Sequence, residues 1–310
     1  MTTVLALRAL GLGDALTGIP ALRGLRRAHP DARLVLAAPA GVGGFLASFG
    51  VVDDVLDTAG LQPLRWTGEP PDVAVNLHGC GPQSHRLLQP VRPRRTVAFA
   101  CPEAGHGDGP PWPAQAHEVD RWCGLVRWAG GDCSPDDLRL PGRREEAHVV
   151  LHPGAASGSR RWPVDRWAAV AAGLAGRGRE VVVTGVPAEA DLCARVAAAH
   201  PGVRDACGAS SLAQLADLVA SAALVLCGDT GIAHVATAFG TPSVLLFGPV
   251  SPDHWGPRID AERHTVLWHP HEGDPAGDPH ADETDVRLRR VQVDDVLAAA
   301  EAQLTSAAVG

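Results

Sequence analysis

The stretch Cys227-Gly228-Asp229-Thr230-Gly231-Ile232-Ala233-His234 decides the fold. It follows a short continuous apolar run, residues 223–227, and leads straight into a second apolar run, 232–239. The first reads as a buried parallel strand, since such strands are apolar on both faces. The second has helical spacing. Thr230 and Gly231 would then expose backbone N–H groups at the positive end of a helix dipole, a ready anion site. Asp229 is unsuited to phosphate, because like charges repel, but suited to sugar hydroxyls beside one. His234 lies one turn in, where it either reaches the same ligand or is a satisfied core histidine.

Outward from this point the same grammar repeats. Strands are expected at 149–151, 180–184 and 243–247, and helices at 165–177, 189–200 and 212–220. A final helix is expected at 293–304. The first half opens the same way, with a strand at 4–9, a turn at 11–14 and a helix carrying Ile19, Leu22 and Leu25, Pro20 falling in its first turn. Further strands are expected at 34–38, 51–56 and 73–77, and a helix at 117–129. Alternating strands and helices imply parallel sheets covered on both faces. The polar, proline-broken stretch 134–144 reads as a junction, giving domains 1–144 and 145–310.

Composition agrees. The chain has 310 residues, 45% hydrophobic and 20% charged, which suits two ordinary globular cores. No window offers the roughly 18 uninterrupted apolar residues of a membrane span. The first residues read as a strand rather than a signal peptide, so a cytoplasmic enzyme is expected. A net charge of -8 argues against a nucleic-acid binder, which needs a basic face. Seven cysteines are scattered without a C-x-x-C pair, which fails both as a zinc signature and as a disulfide framework. Every basic residue is arginine, as a GC-rich genome favours.

Two further glycine loops follow strands. Gly11-Leu12-Gly13-Asp14 begins like a dinucleotide fingerprint, but Leu16 stands where the third glycine belongs. As a P-loop it fails too, with Ile19-Pro20 in place of lysine and hydroxyl. What remains is the carboxylate of Asp14 at the carboxyl end of the first strand. It either faces the ligand crevice or only caps the next helix. The loop His152-Pro153-Gly154-Ala155-Ala156-Ser157-Gly158-Ser159-Arg160-Arg161-Trp162-Pro163 has small residues that admit a ligand to the backbone. Its arginines can neutralise phosphate, or be solvated.

Taken together these segments resemble glycosyltransferase family 9, the heptosyltransferases of lipopolysaccharide inner core. The resemblance rests on Leu12-Gly13-Asp14-Ala15-Leu16 with Pro20-Ala21-Leu22-Arg23-Gly24-Leu25, on Pro153-Gly154 with Arg160-Arg161-Trp162-Pro163 and Trp167, and on Gly228-Asp229-Thr230-Gly231 with His234, Gly240-Thr241-Pro242 and Leu246-Phe247-Gly248-Pro249. It implies a GT-B fold: two Rossmann-like domains facing each other across a cleft, the C-terminal helix packing back on the N-terminal domain. It implies inverting transfer of a heptose or related sugar from an ADP-sugar to an acceptor hydroxyl, with Asp14 as general base.

The implied donor set is Gly13, Ser157, Arg160, Glu189, Leu212, Asp229, Thr230, Gly231 and His234. Arg160 replaces the usual lysine, and Ala155 and Ala156 replace hydroxyl residues, leaving Ser157 or Ser159 to supply one. An arginine and a helix terminus can do a metal's work, so no cofactor and no metal is expected.

The acceptor, a lipopolysaccharide-type glycan or a small natural product such as an aminocyclitol, is expected on the N-terminal domain. Candidates are His78, Ser84, His85, Arg92, Arg94 and Arg95, with the Gly/Pro-rich stretch 101–113 as a lid. No nucleic-acid partner is expected. Membrane association follows only if the acceptor is a lipid, and the chain is expected to be a monomer. The rival readings are a sugar-nucleotide epimerase on the same architecture and a non-catalytic nucleotide-sugar binder. Residues 264–285, rich in His and Asp, could hold a metal, but their glycines and prolines favour a mobile, solvated loop.

Overall fold

The apolar runs become strands of two parallel sheets in a computed structural model, which describes residues 2–142 and 148–307. The strands are β1 Thr3–Leu7, β2 Arg33–Ala38, β3 Asp54–Asp57, β4 Val73–Asn76, β5 Arg95–Val97, β6 Val149–His152, β7 Val181–Val183, β8 Val203–Asp205, β9 Leu224–Gly228, β10 Ser243–Leu246 and β11 His264–Leu267. The helices are α1 Leu12–Thr17, α2 Ile19–Ala28, α3 Ala40–Ser48, α4 Pro82–Leu88, α5 Glu118–Trp128, α6 Val164–Ala175, α7 Ala190–Ala197, α8 Leu212–Ala220, α9 Gly231–Phe239, α10 Pro252–Trp255, α11 Val286–Arg290 and α12 Val293–Ala307.

The chain forms two compact units, Met1–Leu138 and Arg139–Gly310. The expected junction at 144/145 lies outside the described residues. The divide falls earlier because residues 139–142 belong to the second unit: Leu140 N–H donates to Ala238 O at 2.7 Å, and Arg139 pairs with Asp260.

In the first unit the sheet order is β3-β2-β1-β4-β5, all parallel. Leu5, Leu7, Val35, Ala37 and Ala74 share one face and pack on Leu88 and Val91. The order reverses between β1 and β4, so a crevice opens at their carboxyl ends. Residues 11–14 are not a free turn. Gly11 caps α1, and Asp14 sits in that helix's first turn, where a carboxylate suits the dipole. Cys123 and Cys133 form a disulfide, Cα–Cα 5.3 Å, a pairing their wide sequence spacing did not suggest.

In the second unit the order is β11-β10-β9-β6-β7-β8, again parallel. Its switch point lies between β6 and β9. The expectation that the C-terminal helix packs on the first domain is corrected. Val296, Ala300 and Leu304 of α12 form an i, i+4, i+8 stripe buried in the core of the second unit with Leu224, Leu246 and Leu174. That stripe is an ordinary amphipathic face satisfied by its own sheet.

Candidate active site

In the first unit the switch-point loops carry Asp14 after β1 and His78 after β4. Beneath them lies a buried cation that the sequence did not reveal. Arg8 is fully buried. Its Nε donates to Asp14 O, its Nη1 to Leu77 O, and its Nη2 to Thr17 Oγ1 at 3.0 Å and Glu118 Oε1 at 2.9 Å. Glu118 also accepts from Trp122 Nε1 at 2.6 Å and from Arg121. Gly18 is required here, since a Cβ would lie 2.8 Å from Arg8 Cδ.

The charges set the acidities. Burial pushes the Glu118 carboxyl up, but the Arg8 charge and its hydrogen bonds outweigh that and hold it below its ordinary value. Asp14 goes the other way. Burial raises it, Arg8 offsets part of the rise, and Glu118 adds to it. A carboxylate raised toward neutrality is a better proton acceptor.

His78 is tied to the same edge. Its Nδ1 accepts from Ala9 N–H at 3.2 Å, which leaves the proton on Nε2. Burial and the Arg8 charge lower its pKa, favouring the neutral ring. Ser84 and His85 are buried instead in an internal network: Asn76 donates to Ser84 Oγ at 2.9 Å, and His85 Nε2 meets Phe99 O at 2.9 Å. Arg94 and Arg95 lie at the start of β5, where Arg94 faces Asp72 at 3.5 Å. That is the amino edge of a parallel sheet, opposite Asp14 and His78. Arg92 is exposed at a left-handed turn, φ 52°. The structure does not bring these arginines to the base. The stretch 101–113 is not a free lid either. Ala100 N–H donates to Pro110 O at 2.9 Å, and Trp112 packs edge-on against Phe99 and Trp122.

In the second unit every donor candidate falls at a carboxyl strand end. After β6, Arg160 donates from Nε to Ser157 Oγ at 3.2 Å and from Nη1 to Asp229 O at 3.4 Å. It meets no carboxylate among the described residues, so its charge remains available to an anion. Ser157 already has partners on both sides, because its hydroxyl donates to Pro279 O. After β7, the Glu189 carboxylate accepts from Val186 N–H at 3.0 Å and lies against Gly154, where any side chain would collide with it. After β8, Leu212 begins α8 behind the Ser211–Gln214 capping box. After β9, Asp229 is buried, Thr230 is the N-cap residue of α9, and Gly231 is its first residue. No Thr230 side-chain cap is formed, so the first-turn amides need another acceptor. His234 is buried one turn in, its ring edge-on to Trp255 at 5.9 Å. His152, which ends β6, is buried and pushed down to about 4 by that burial; it bonds Thr184 Oγ1 at 3.0 Å.

Residues 264–285 include a largely exposed loop, as expected. They begin with β11 and continue as a strap bonded to the loop after β6. Among the described residues, no three His, Cys, Asp or Glu side chains converge as metal ligands.

Two parallel Rossmann-like sheets define a GT-B fold. Solved structures agree. A glycosyltransferase family 9 protein from Veillonella parvula superposes with TM-score 0.80 at 18% identity, covering 98% of each chain. ADP-heptose LPS heptosyltransferase II of E. coli superposes with TM-score 0.79 at 20% identity, covering 99% of each. Residues 131–276 match Glycosyltransferase family 9 (heptosyltransferase). A curated relative, lipooligosaccharide heptosyltransferase 2 of Haemophilus influenzae, is 32% identical over 37% of this chain and 35% of its own length. The chain thus spans about a third of the length of the first curated relatives it matches. No helix among the described residues is long and apolar enough to cross a membrane.

Proposed function

We propose that the protein is an inverting glycosyltransferase that moves a heptose or related sugar from an ADP-sugar to an acceptor hydroxyl. The observation that carries this is Arg160, a cation without a carboxylate partner among the described residues. It lies beside Asp229 and the start of α9, at the switch point of the second sheet. The family and its heptosyltransferase relatives supply the donor class.

In this reading Asp14 takes the proton of the acceptor hydroxyl. The oxygen attacks the anomeric carbon as the bond to the diphosphate breaks, and ADP leaves with the bonding electrons. A hydroxyl is too weak a nucleophile at neutral pH without such a base. The leaving charge meets Arg160 and the amides of Thr230 and Gly231, donors of a kind worth roughly 3–4 kcal/mol each in measured cases. These fixed charges perform the role a divalent ion would otherwise fill, so catalysis is metal-independent. Asp229, Glu189 and His234 hold the sugar, and Leu212 borders the adenine. His78 is the acceptor-side candidate, because it shares the edge of Asp14. The acceptor is a lipopolysaccharide-type glycan or a small hydroxylated molecule. A cytoplasmic, monomeric protein is part of the same reading.

The test is donor turnover. With ADP-heptose and a panel of glycan and aminocyclitol acceptors, ADP release should require an acceptor. Donor isomerised without acceptor would make the protein an epimerase. Tight binding without turnover across the panel would make it a sugar-nucleotide binder.

A further inference from the structure

The strap, residues 268–285, is fastened at both ends to the second unit. Its carboxyl half lies on the loop that carries Arg160. Ser159 N–H donates to Ala281 O at 2.8 Å, and Asp285 N–H donates to Ser159 O at 3.1 Å. Thr284 Oγ1 donates to Arg161 O at 3.0 Å. The backbone at Asp282 passes so close to Gly158 that a Cβ there would collide with the Asp282 carbonyl. Its amino half is fastened by two arginines. Arg290 grips Asp274 through both nitrogens at 2.6 and 2.7 Å and also donates to His269 O at 2.9 Å. Arg287 bonds Asp285 at 3.1 and 3.2 Å and Pro275 O at 2.6 Å. Asp274 and Arg287 are only 9% and 10% exposed at their side chains. Arginine–carboxylate forks of this kind fix geometry as well as charge.

One chain of bonds runs from the strap to Arg160. The Ser157 hydroxyl gives its proton to Pro279 O. Its oxygen is then turned to accept from Arg160 Nε at 3.2 Å. Without Pro279 the hydroxyl is free to rotate toward Ser159 Oγ, 3.3 Å away, and its lone pairs leave the guanidinium.

We infer that Asp274 and Arg290 form a positioning clamp for the phosphate-binding arginine. They hold the strap on the loop after β6, and the strap, through Pro279 O and the Ser157 hydroxyl, aims the guanidinium of Arg160. The inference rests on the donor site proposed above. It also explains Gly158, which must lack a side chain for the strap to lie down, and it turns Ser157 from a donor ligand into the relay.

The test is calorimetric titration of the full chain with ADP and, by competition, with adenosine. Arg160→Ala should weaken ADP at least tenfold. Asp274→Asn should weaken ADP about tenfold and leave adenosine unchanged, because only the diphosphate meets Arg160. Gly158→Ala, which leaves the clamp intact but lifts the strap, should do the same. In the Arg160→Ala background, Asp274→Asn should cost nothing further. Wild-type ADP affinity in both Asp274→Asn and Gly158→Ala overturns the clamp while Arg160→Ala still supports the donor site. Equal losses for ADP and adenosine also overturn it, as they mark a merely structural role. An Arg160→Ala protein that binds ADP normally overturns the donor site itself.

Discussion

The two switch points use arginine in opposite ways. In the first unit Arg8 is sealed under the edge and its charge is consumed internally by Glu118. In the proposed function the group left for chemistry is the Asp14 carboxylate, raised by burial. In the second unit Arg160 is half-buried and, among the described residues, meets only hydroxyl and carbonyl oxygens, so in the proposed function the cation itself serves as ligand. The contrast suggests which mutations should act on folding and which on binding.

Asp14→Asn should break the first half of the contrast most severely. Turnover should fall by about 10²–10⁴, the usual contribution of a positioned proton acceptor, while ADP affinity stays as it was. Steady-state ADP release with parallel calorimetry checks this, and a retained rate would remove Asp14 as base. Next in size is the buried pair. Glu118→Ala leaves Arg8 charged and unpaired in the core and should cost about 3–5 kcal/mol of unfolding free energy, read by urea denaturation. A loss under 1 kcal/mol would show that the pair is solvated in the folded protein.

On the second unit, Asp229→Ala should weaken the intact sugar nucleotide roughly tenfold, the scale of a lost hydrogen bond to a charged group. It should weaken ADP alone much less; equal losses would take Asp229 off the sugar. The smallest effect is on pH. Because Asp14 is raised above its ordinary 3.8, and a base works only when deprotonated, the acid limb of kcat should be displaced upward from that value. The Asp14→Asn enzyme should lose that limb. For stability the sign reverses at Glu118. Its folded value is lowered, so its contribution is present above the unfolded value and is lost as pH falls through the folded one.

Much of this was legible in the residues themselves. A strand running into Gly228-Asp229-Thr230-Gly231 announces a helix start at a carboxyl strand edge, and Asp14 and Arg160 follow from the same local grammar. Three weakly apolar strands were not legible. β5 and β8 have three residues each and carry charge, and β11 is partly exposed, so their apolar signal is weak. The Arg8–Glu118 pair spans 110 positions, beyond any local pattern. The basic run Arg92, Arg94, Arg95 misled because composition does not say which edge of a sheet a residue occupies. The fastening of the strap was not legible either, because Asp274 and Arg290 stand 16 positions apart in no local pattern.

The strap also bears on how the protein is made. Ser157 bonds a carbonyl 122 positions later in the chain. At synthesis rates of about 5–20 residues per second, the loop must wait on the order of ten seconds for its partner to emerge. During that interval its glycines and Arg160 are on an unfinished surface, and the unit still lacks the α12 stripe that completes its core. The second unit is therefore complete only once nearly all of the described chain has emerged.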